Sequence, residues 1–127
     1  MSKRCIGDSV VVCEYPYDSV RLSRKRAIEM VSVLCLADDV RVIDWPKARV
    51  THARVSGDWC CGLETYLIEM SRWSVGTLLH EIAHINAWEM HHEAWGHHDR
   101  RFKREQERLY GMYNAYCVVM YGGGGTG

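Results

Sequence analysis

Two histidines four positions apart, His80 and His84, and the glutamate that follows the first, Glu81, are the residues of this chain best suited to chemistry. On a helix four residues advance about 400°, so the two imidazoles lie about 40° apart and one turn along. Both rings could then bind one metal ion at roughly 2.0–2.1 Å. This HExxH spacing predicts a site where zinc lowers the pKa of a water and Glu81 takes its proton.

The same residues also allow a simpler interpretation, a buried helix whose two histidines have ordinary hydrogen-bond partners. The neighbouring residues are apolar, with Leu78, Leu79 and Ile82 around the motif. A glutamate and two histidines in such surroundings cost free energy unless they have a partner. That cost favours the metal site.

A catalytic zinc site has three protein ligands and one open position, so a third ligand must come from elsewhere in the chain. The metzincin spacing requires a histidine at the position of Met90, which excludes that subclass. The remaining candidate ligands are four histidines further along the chain: His91, His92, His97 and His98. Two carboxylates, Glu89 and Glu93, are less suited candidates.

The segment His98-Asp99-Arg100-Arg101-Phe102, placed after the HExxH residues, resembles the SprT-like and WLM-like small zincins, including phage-encoded metallopeptidases. The resemblance covers about residues 62–110. It implies that His98 is the third ligand and Phe102 a packing residue. Asp99 stands where the family often has glycine, but aspartate is a good helix cap. His97 remains the alternative ligand, one position earlier.

The resemblance also implies that the strand over residues 62–69 borders the cleft and takes up an extended peptide by edge pairing. Candidate groups on the substrate side are Tyr66 in that strand and Tyr110 and Tyr113 further along, with Tyr116 a further oxyanion donor to consider. Their helical or strand spacing equally allows these tyrosines to be packing residues.

The elements that must position these residues follow from the apolar pattern. It predicts an N-terminal helix, three or four short strands, the HExxH helix and a C-terminal helix. The expected bounds are, in order, 18 or 19 to 37, 40–45, 49–55, 62–70, 73–89, and from 99 for about five turns, and residues 9–13 allow a short strand ahead of the first helix. A turn is expected at 56–58, and Ser71 or Ser74 is expected to cap the HExxH helix. The fold class is therefore α+β, a minimal zincin-like domain over residues 1–121, followed by a flexible glycine-rich tail, 122–127.

Composition limits the remaining function classes. The chain is 47% apolar and 25% charged with a net charge of zero, as expected for one globular domain. Neutrality argues against nucleic acid as a partner, apart from the basic stretch 100–104. No segment has the length of a membrane span or of a signal peptide, so a cytoplasmic location is expected.

The six cysteines include no C-x-x-C pair, so a zinc ribbon is not expected. Cys35 and Cys117 are expected in the core, and Cys60-Cys61 in a loop.

Together these observations predict a zinc-dependent metallopeptidase with one Zn²⁺ per chain and a peptide or protein substrate. One alternative is a SprT-like protease that acts on DNA-associated proteins. A non-catalytic zinc-binding module is another, although a closed structural site would have no use for Glu81. A protein-interaction module with a chance HExxH sequence is the third.

Overall fold

The computed structural model describes residues 2–10, 20–46, 51–60, 63–91 and 98–121, so the tail 122–127 lies outside it. Four strands and three helices make up the described residues, which confirms the α+β class. None of these helices has the length and apolar character needed to cross a bilayer. The elements are β1 (Ser2–Val10), α1 (Arg24–Leu34), β2 (Val40–Asp44), β3 (Thr51–Cys60), β4 (Leu63–Met70), α2 (Val75–His91) and α3 (Arg100–Tyr121).

The four strands form one mixed sheet in the order β1-β3-β4-β2. Strand β3 is antiparallel to β1 and to β4, whereas β2 runs parallel to β4. Residues 66–70 of β4 therefore have a partner strand on both sides. The expectation that this strand takes up a peptide at a free edge is wrong there, because its backbone groups already pair within the sheet.

Strand β3 is longer than its sequence predicts. A turn was expected at 56–58, but Gly57 pairs with Tyr66 and Asp58 with Thr65 in the antiparallel ladder. The hydrogen-bonded pairing overrides the local preference of Ser-Gly-Asp for a turn. Cys60 is consequently the last residue of a strand rather than part of a loop, and residue 61 lies outside the described residues.

The buried face of the sheet agrees with the alternation in the sequence. Tyr66, Ile68 and Met70 of β4 are buried, and they lie beside the buried Ala53 and Val55 of β3. Successive side chains of a strand point to opposite faces, so these five form one apolar surface. Helix α2 packs against β1 and β3 and also contacts α3 and α1.

Helix α1 begins later than expected and follows a strand, so it is not the first element of the chain. Its N-cap is Ser23, whose hydroxyl accepts a hydrogen bond from the backbone N–H three residues on. The positions at which this helix was expected to begin, 18 or 19, lie outside the described residues. Just before the helix, the Leu22 N–H donates to the Trp73 carbonyl, so this stretch pairs with a distant segment instead of continuing the helix.

The caps of α2 and α3 are as the sequence predicts. The Ser74 hydroxyl accepts a hydrogen bond from the Thr77 N–H at 3.1 Å. An Asp99 carboxylate oxygen accepts one from the Phe102 N–H at 3.0 Å. Each satisfies a backbone donor that has no partner within its own helix. Near the end of α3, whose apolar spacing includes Met120, that side chain is 53% exposed.

The two cysteines that were expected in the core lie at its margin. Cys35 and Cys117 are free thiols, and both are half-buried. Burial raises the pKa of the Cys35 thiol to about 12. This thiol therefore stays protonated at neutral pH, in the form that does not bind metal.

A buried asparagine joins the three helices. The Asn86 side chain on α2 donates to the Leu34 carbonyl at 3.1 Å and to a Glu105 carboxylate oxygen at 2.7 Å. Its own oxygen accepts the Leu36 N–H at 2.7 Å. Glu105 on α3 also accepts hydrogen bonds from Arg108. Because α1, α2 and α3 all meet at Asn86, this residue helps to set their relative positions.

Replacing Asn86 by alanine is expected to lower the free energy of unfolding of the metal-free protein by about 3 kcal/mol. The substitution removes the partner of two backbone groups and of a buried carboxylate, each of which costs roughly 1–3 kcal/mol when left unsatisfied. Glu107→Ala is the control, since Glu107 is exposed on α3, and its effect should stay within about 0.5 kcal/mol. Urea unfolding measures both. Equal stability of the two variants would contradict the role assigned to Asn86.

Candidate metal centre

Three histidines, two from α2 and one from the residues just before α3, lie close together. His80 and His84 lie on α2, and His98 stands two residues before α3. The ring centroids are 4.9 Å apart in each of the three pairs. The Nε2 atoms of His84 and His98 are 3.1 Å apart. The structure thus brings together the HExxH histidines and the third ligand that the sequence resemblance implies.

The spacing of the His84 and His98 nitrogens fits a tetrahedral metal ion, and the ligand atoms of all three histidines lie within 4.8 Å of one another. Zinc–nitrogen bonds of 2.0–2.1 Å at tetrahedral angles place neighbouring ligand atoms about 3.3–3.4 Å apart. The 3.1 Å separation of the His84 and His98 nitrogens is close to that value. His80 and His84 are buried, whereas His98 is exposed. An ion held by these three rings would therefore face solvent on the side of His98, where a fourth ligand can enter.

The two buried histidines are held in the form that binds metal. Burial, followed by the charge of His98, lowers the pKa of His80 to about 3. Burial, reinforced by His80 and His98, likewise lowers the pKa of His84. A metal ligand must be a neutral imidazole, so both rings can bind metal at neutral pH without first losing a proton.

Phe102 forms a common packing surface for the three rings. Its ring centroid lies 4.9 Å from that of His80, 4.4 Å from that of His84 and 4.8 Å from that of His98. Phe102 is itself buried, in the first turn of α3. Contact with one rigid ring restricts the rotation of all three imidazoles. The packing role that the resemblance implies for Phe102 agrees with this position.

Glu81 is fully buried beside the cluster. One residue corresponds to about 100° of helix rotation, so Glu81 lies roughly 60° further round α2 than His84. A carboxylate at this position is offset from the two ligands rather than aligned with them. The HExxH pattern predicts this offset for a carboxylate that exchanges a proton with a metal-bound water.

Gln106 is a site residue that the sequence analysis missed. Its side-chain Nε2 lies 3.2 Å from Nδ1 of His80. Gln106 follows Phe102 by four residues and so shares its face of α3. A polar residue that interrupts the apolar stripe of α3 is the signal that could have identified it.

The other candidate ligands do not join the cluster among the described residues. His92, Glu93 and His97 lie outside those residues. His91 is exposed at the end of α2. Glu89 accepts a hydrogen bond from the Tyr66 hydroxyl at 2.7 Å and so takes part in the contact between α2 and β4.

The candidate tyrosines have different surroundings. Tyr66 is buried in the core, and its hydroxyl also lies 3.0 Å from a Glu64 carboxylate oxygen. Burial and the two glutamates raise the pKa of this phenol, so it stays protonated and can donate a hydrogen bond. Its bond to Glu89 joins strand β4 to helix α2. Tyr110 and Tyr113 are half-buried on α3. Tyr110 is one turn beyond Gln106 on the same face, and a substrate-side role for it and for Tyr113 remains a prediction.

Fold and site together define a small α+β domain with a three-histidine cluster arranged to hold a metal ion. No protein-family model, no curated protein and no solved structure matches this chain. The assignment of a function therefore depends on the geometry of the site.

Proposed function

We propose that this protein is a zinc-dependent metallopeptidase of the HExxH type. The observation that carries the proposal is the convergence of His80, His84 and His98 on one point with Glu81 buried beside them. Three imidazoles are a ligand set suited to zinc, and also to copper, iron or nickel. The adjacent carboxylate favours zinc hydrolase chemistry over electron transfer.

The chain's own residues divide the reaction between them. A zinc ion at this site would act as a Lewis acid on a peptide carbonyl and lower the pKa of a nearby water. Glu81 accepts the proton of that water as it attacks and then donates it to the leaving nitrogen. His80 and His84 provide a rigid, buried base for the ion, and substrate approaches from the exposed side, at His98.

A non-catalytic zinc module is less well supported. Structural zinc sites are closed by four protein ligands. Within the described ranges, the cluster of metal-binding groups contains three residues, one of them exposed. A site of this kind keeps a position available for substrate. A cytoplasmic location is part of the same proposal, since the free thiols Cys35 and Cys117 fit a reducing compartment.

Metal content and peptide cleavage, measured on the same preparation, test the proposal. We expect one zinc per chain by elemental analysis and cleavage within a library of unstructured peptides. A chelator should abolish that cleavage, and added Zn²⁺ should restore it. Tightly held zinc without cleavage of any peptide would favour the non-catalytic module. A chain that binds no divalent metal would overturn the proposal.

A protease acting on DNA-associated proteins is the second candidate. Arg100, Arg101, Lys103 and Arg104 are all exposed around the first turn of α3, next to His98. If these four side chains each contact a phosphate, raising the salt concentration from 50 to 200 mM should weaken DNA binding about 100-fold. That salt dependence would favour this candidate, and the absence of DNA binding at low salt would count against it.

A further inference from the structure

The contact between Gln106 and His80 lies outside the set of metal ligands but touches one of them directly. The Gln106 carboxamide nitrogen is 3.2 Å from His80 Nδ1. Gln106 is half-buried, and it lies on α3, whereas His80 lies on α2. The contact therefore joins α2, which carries His80 and His84, to α3, which begins two residues after His98.

Metal binding determines which of the two ring nitrogens of His80 carries the hydrogen. A neutral imidazole has one N–H, and when one ring nitrogen binds an ion the other must hold the hydrogen. In His80 the nitrogen next to Gln106 is Nδ1, which leaves Nε2 for the ion. The Nδ1–H then needs an acceptor. The carboxamide oxygen of Gln106 can provide one after a 180° rotation of the amide, because oxygen and nitrogen occupy nearly the same volume.

We propose that Gln106 is a positioning residue for the metal centre, which accepts the Nδ1–H of His80 and so fixes both the tautomer and the orientation of that ring. The inference rests on the proposed metal site. It adds a role that the HExxH pattern does not contain. In this arrangement Gln106, eight residues after the ligand His98, provides a hydrogen-bond acceptor from α3. That acceptor orients His80, a ligand on α2.

The surroundings of Nδ1 in His84 show why loss of Gln106 should affect His80 and not His84. Nδ1 of His84 is buried, and it has no hydrogen-bond partner in the part of the chain that the structure describes. His84 is oriented by packing against Phe102 at 4.4 Å between ring centroids. His80 has the Phe102 contact and the Gln106 contact together. Loss of Gln106 should therefore loosen one ligand and leave the other in place.

Two substitutions at position 106 separate the hydrogen bond from the bulk of the side chain. Gln106→Leu removes the acceptor and keeps a similar size. Gln106→Glu keeps an acceptor and strengthens it, as in the carboxylate–histidine–zinc arrangement. Glu107→Leu is the matched control, because Glu107 is the next residue on α3 and is exposed. Circular dichroism of the metal-free proteins confirms that each variant is folded.

The dissociation constant for Zn²⁺, measured by competition with a chromophoric chelator, is the main readout. Gln106→Leu should weaken zinc binding 10- to 100-fold, the range found for such outer partners. Gln106→Glu should bind zinc as tightly as the wild type or more tightly, and Glu107→Leu should stay within about twofold of it. Wild-type affinity in Gln106→Leu would overturn the inference. So would an affinity in Gln106→Glu as low as that in Gln106→Leu.

A second readout separates this inference from the peptidase proposal. In the zinc-loaded wild type, ¹⁵N NMR of the His80 ring should show a protonated Nδ1, and the same signal should broaden or shift in Gln106→Leu. Neither measurement needs turnover. If zinc binds as expected but no peptide is cleaved, the peptidase proposal fails and the role of Gln106 stands. If the wild-type chain binds no zinc, both fail.

Discussion

Glu81→Gln is expected to slow peptide cleavage at least about 100-fold while the chain keeps its zinc. Glutamine has nearly the same shape as glutamate but cannot accept a proton, so the attacking water loses its general base. Such a group contributes about 10²–10⁴-fold to the rate, and kcat should fall by that factor. The metal affinity should change little, since the three imidazoles remain. The measurements are kcat on a peptide that the wild type cleaves and zinc content per chain.

The matched control for this change is Glu89→Gln, the same substitution two turns further along α2. Glu89 accepts a hydrogen bond from Tyr66, and a glutamine oxygen can still accept it. The control should therefore retain kcat within a few-fold of the wild type. A Glu81→Gln enzyme that cleaves peptides as fast as the wild type would show that Glu81 is not the base. Loss of zinc from that variant would instead indicate that Glu81 supports the metal site.

His98→Ala is expected to lower zinc affinity at least about 100-fold. Two of three protein ligands would remain, and a catalytic site needs three. His98 suits this test because it is exposed, so its removal should leave the core unchanged. His80 and His84 are buried, and their replacement would alter packing as well as ligation. Zinc affinity by chelator competition and thermal unfolding of the metal-free chain separate the two effects.

His97→Ala is the control for His98→Ala, since it removes an imidazole one position earlier. It should keep wild-type zinc affinity and one zinc per chain. If His97→Ala loses the metal and His98→Ala keeps it, the ligand assignment moves by one residue. If both variants keep one tightly bound zinc, the site is elsewhere and the three-histidine cluster is not a metal centre.

The parts of the site that lie within one helix could be predicted from sequence. The relation of His80, Glu81 and His84 depends on the rise and rotation of an α-helix, which are the same in any protein. The caps Ser74 and Asp99 were predicted for a similar reason, because a cap acts within three residues of itself. His98 was also predicted, but by resemblance to a known motif rather than by physical reasoning from the residues.

Expectations failed where distant segments compete with local preference. The Ser-Gly-Asp turn expected at 56–58 is instead part of β3, because pairing with β4 and with the distant strand β1 holds it extended. The first turn of the helix expected before Ser23 is replaced by pairing of Leu22 with Trp73. In both cases a backbone partner far along the chain outweighs a preference that is worth about 1 kcal/mol or less per residue.

Sequence alone therefore indicated the pair of histidines on α2, the neighbouring carboxylate and the alternation that buries one face of the sheet, since each depends on a period along a single element. Three-dimensional packing established that β4 is an inner strand, that Asn86 joins three helices and that Gln106 touches His80. Asn86 and Glu105 are 19 residues apart, and Gln106 and His80 are 26 apart. Contacts over such separations depend on strand order and helix packing, and no local periodicity records these.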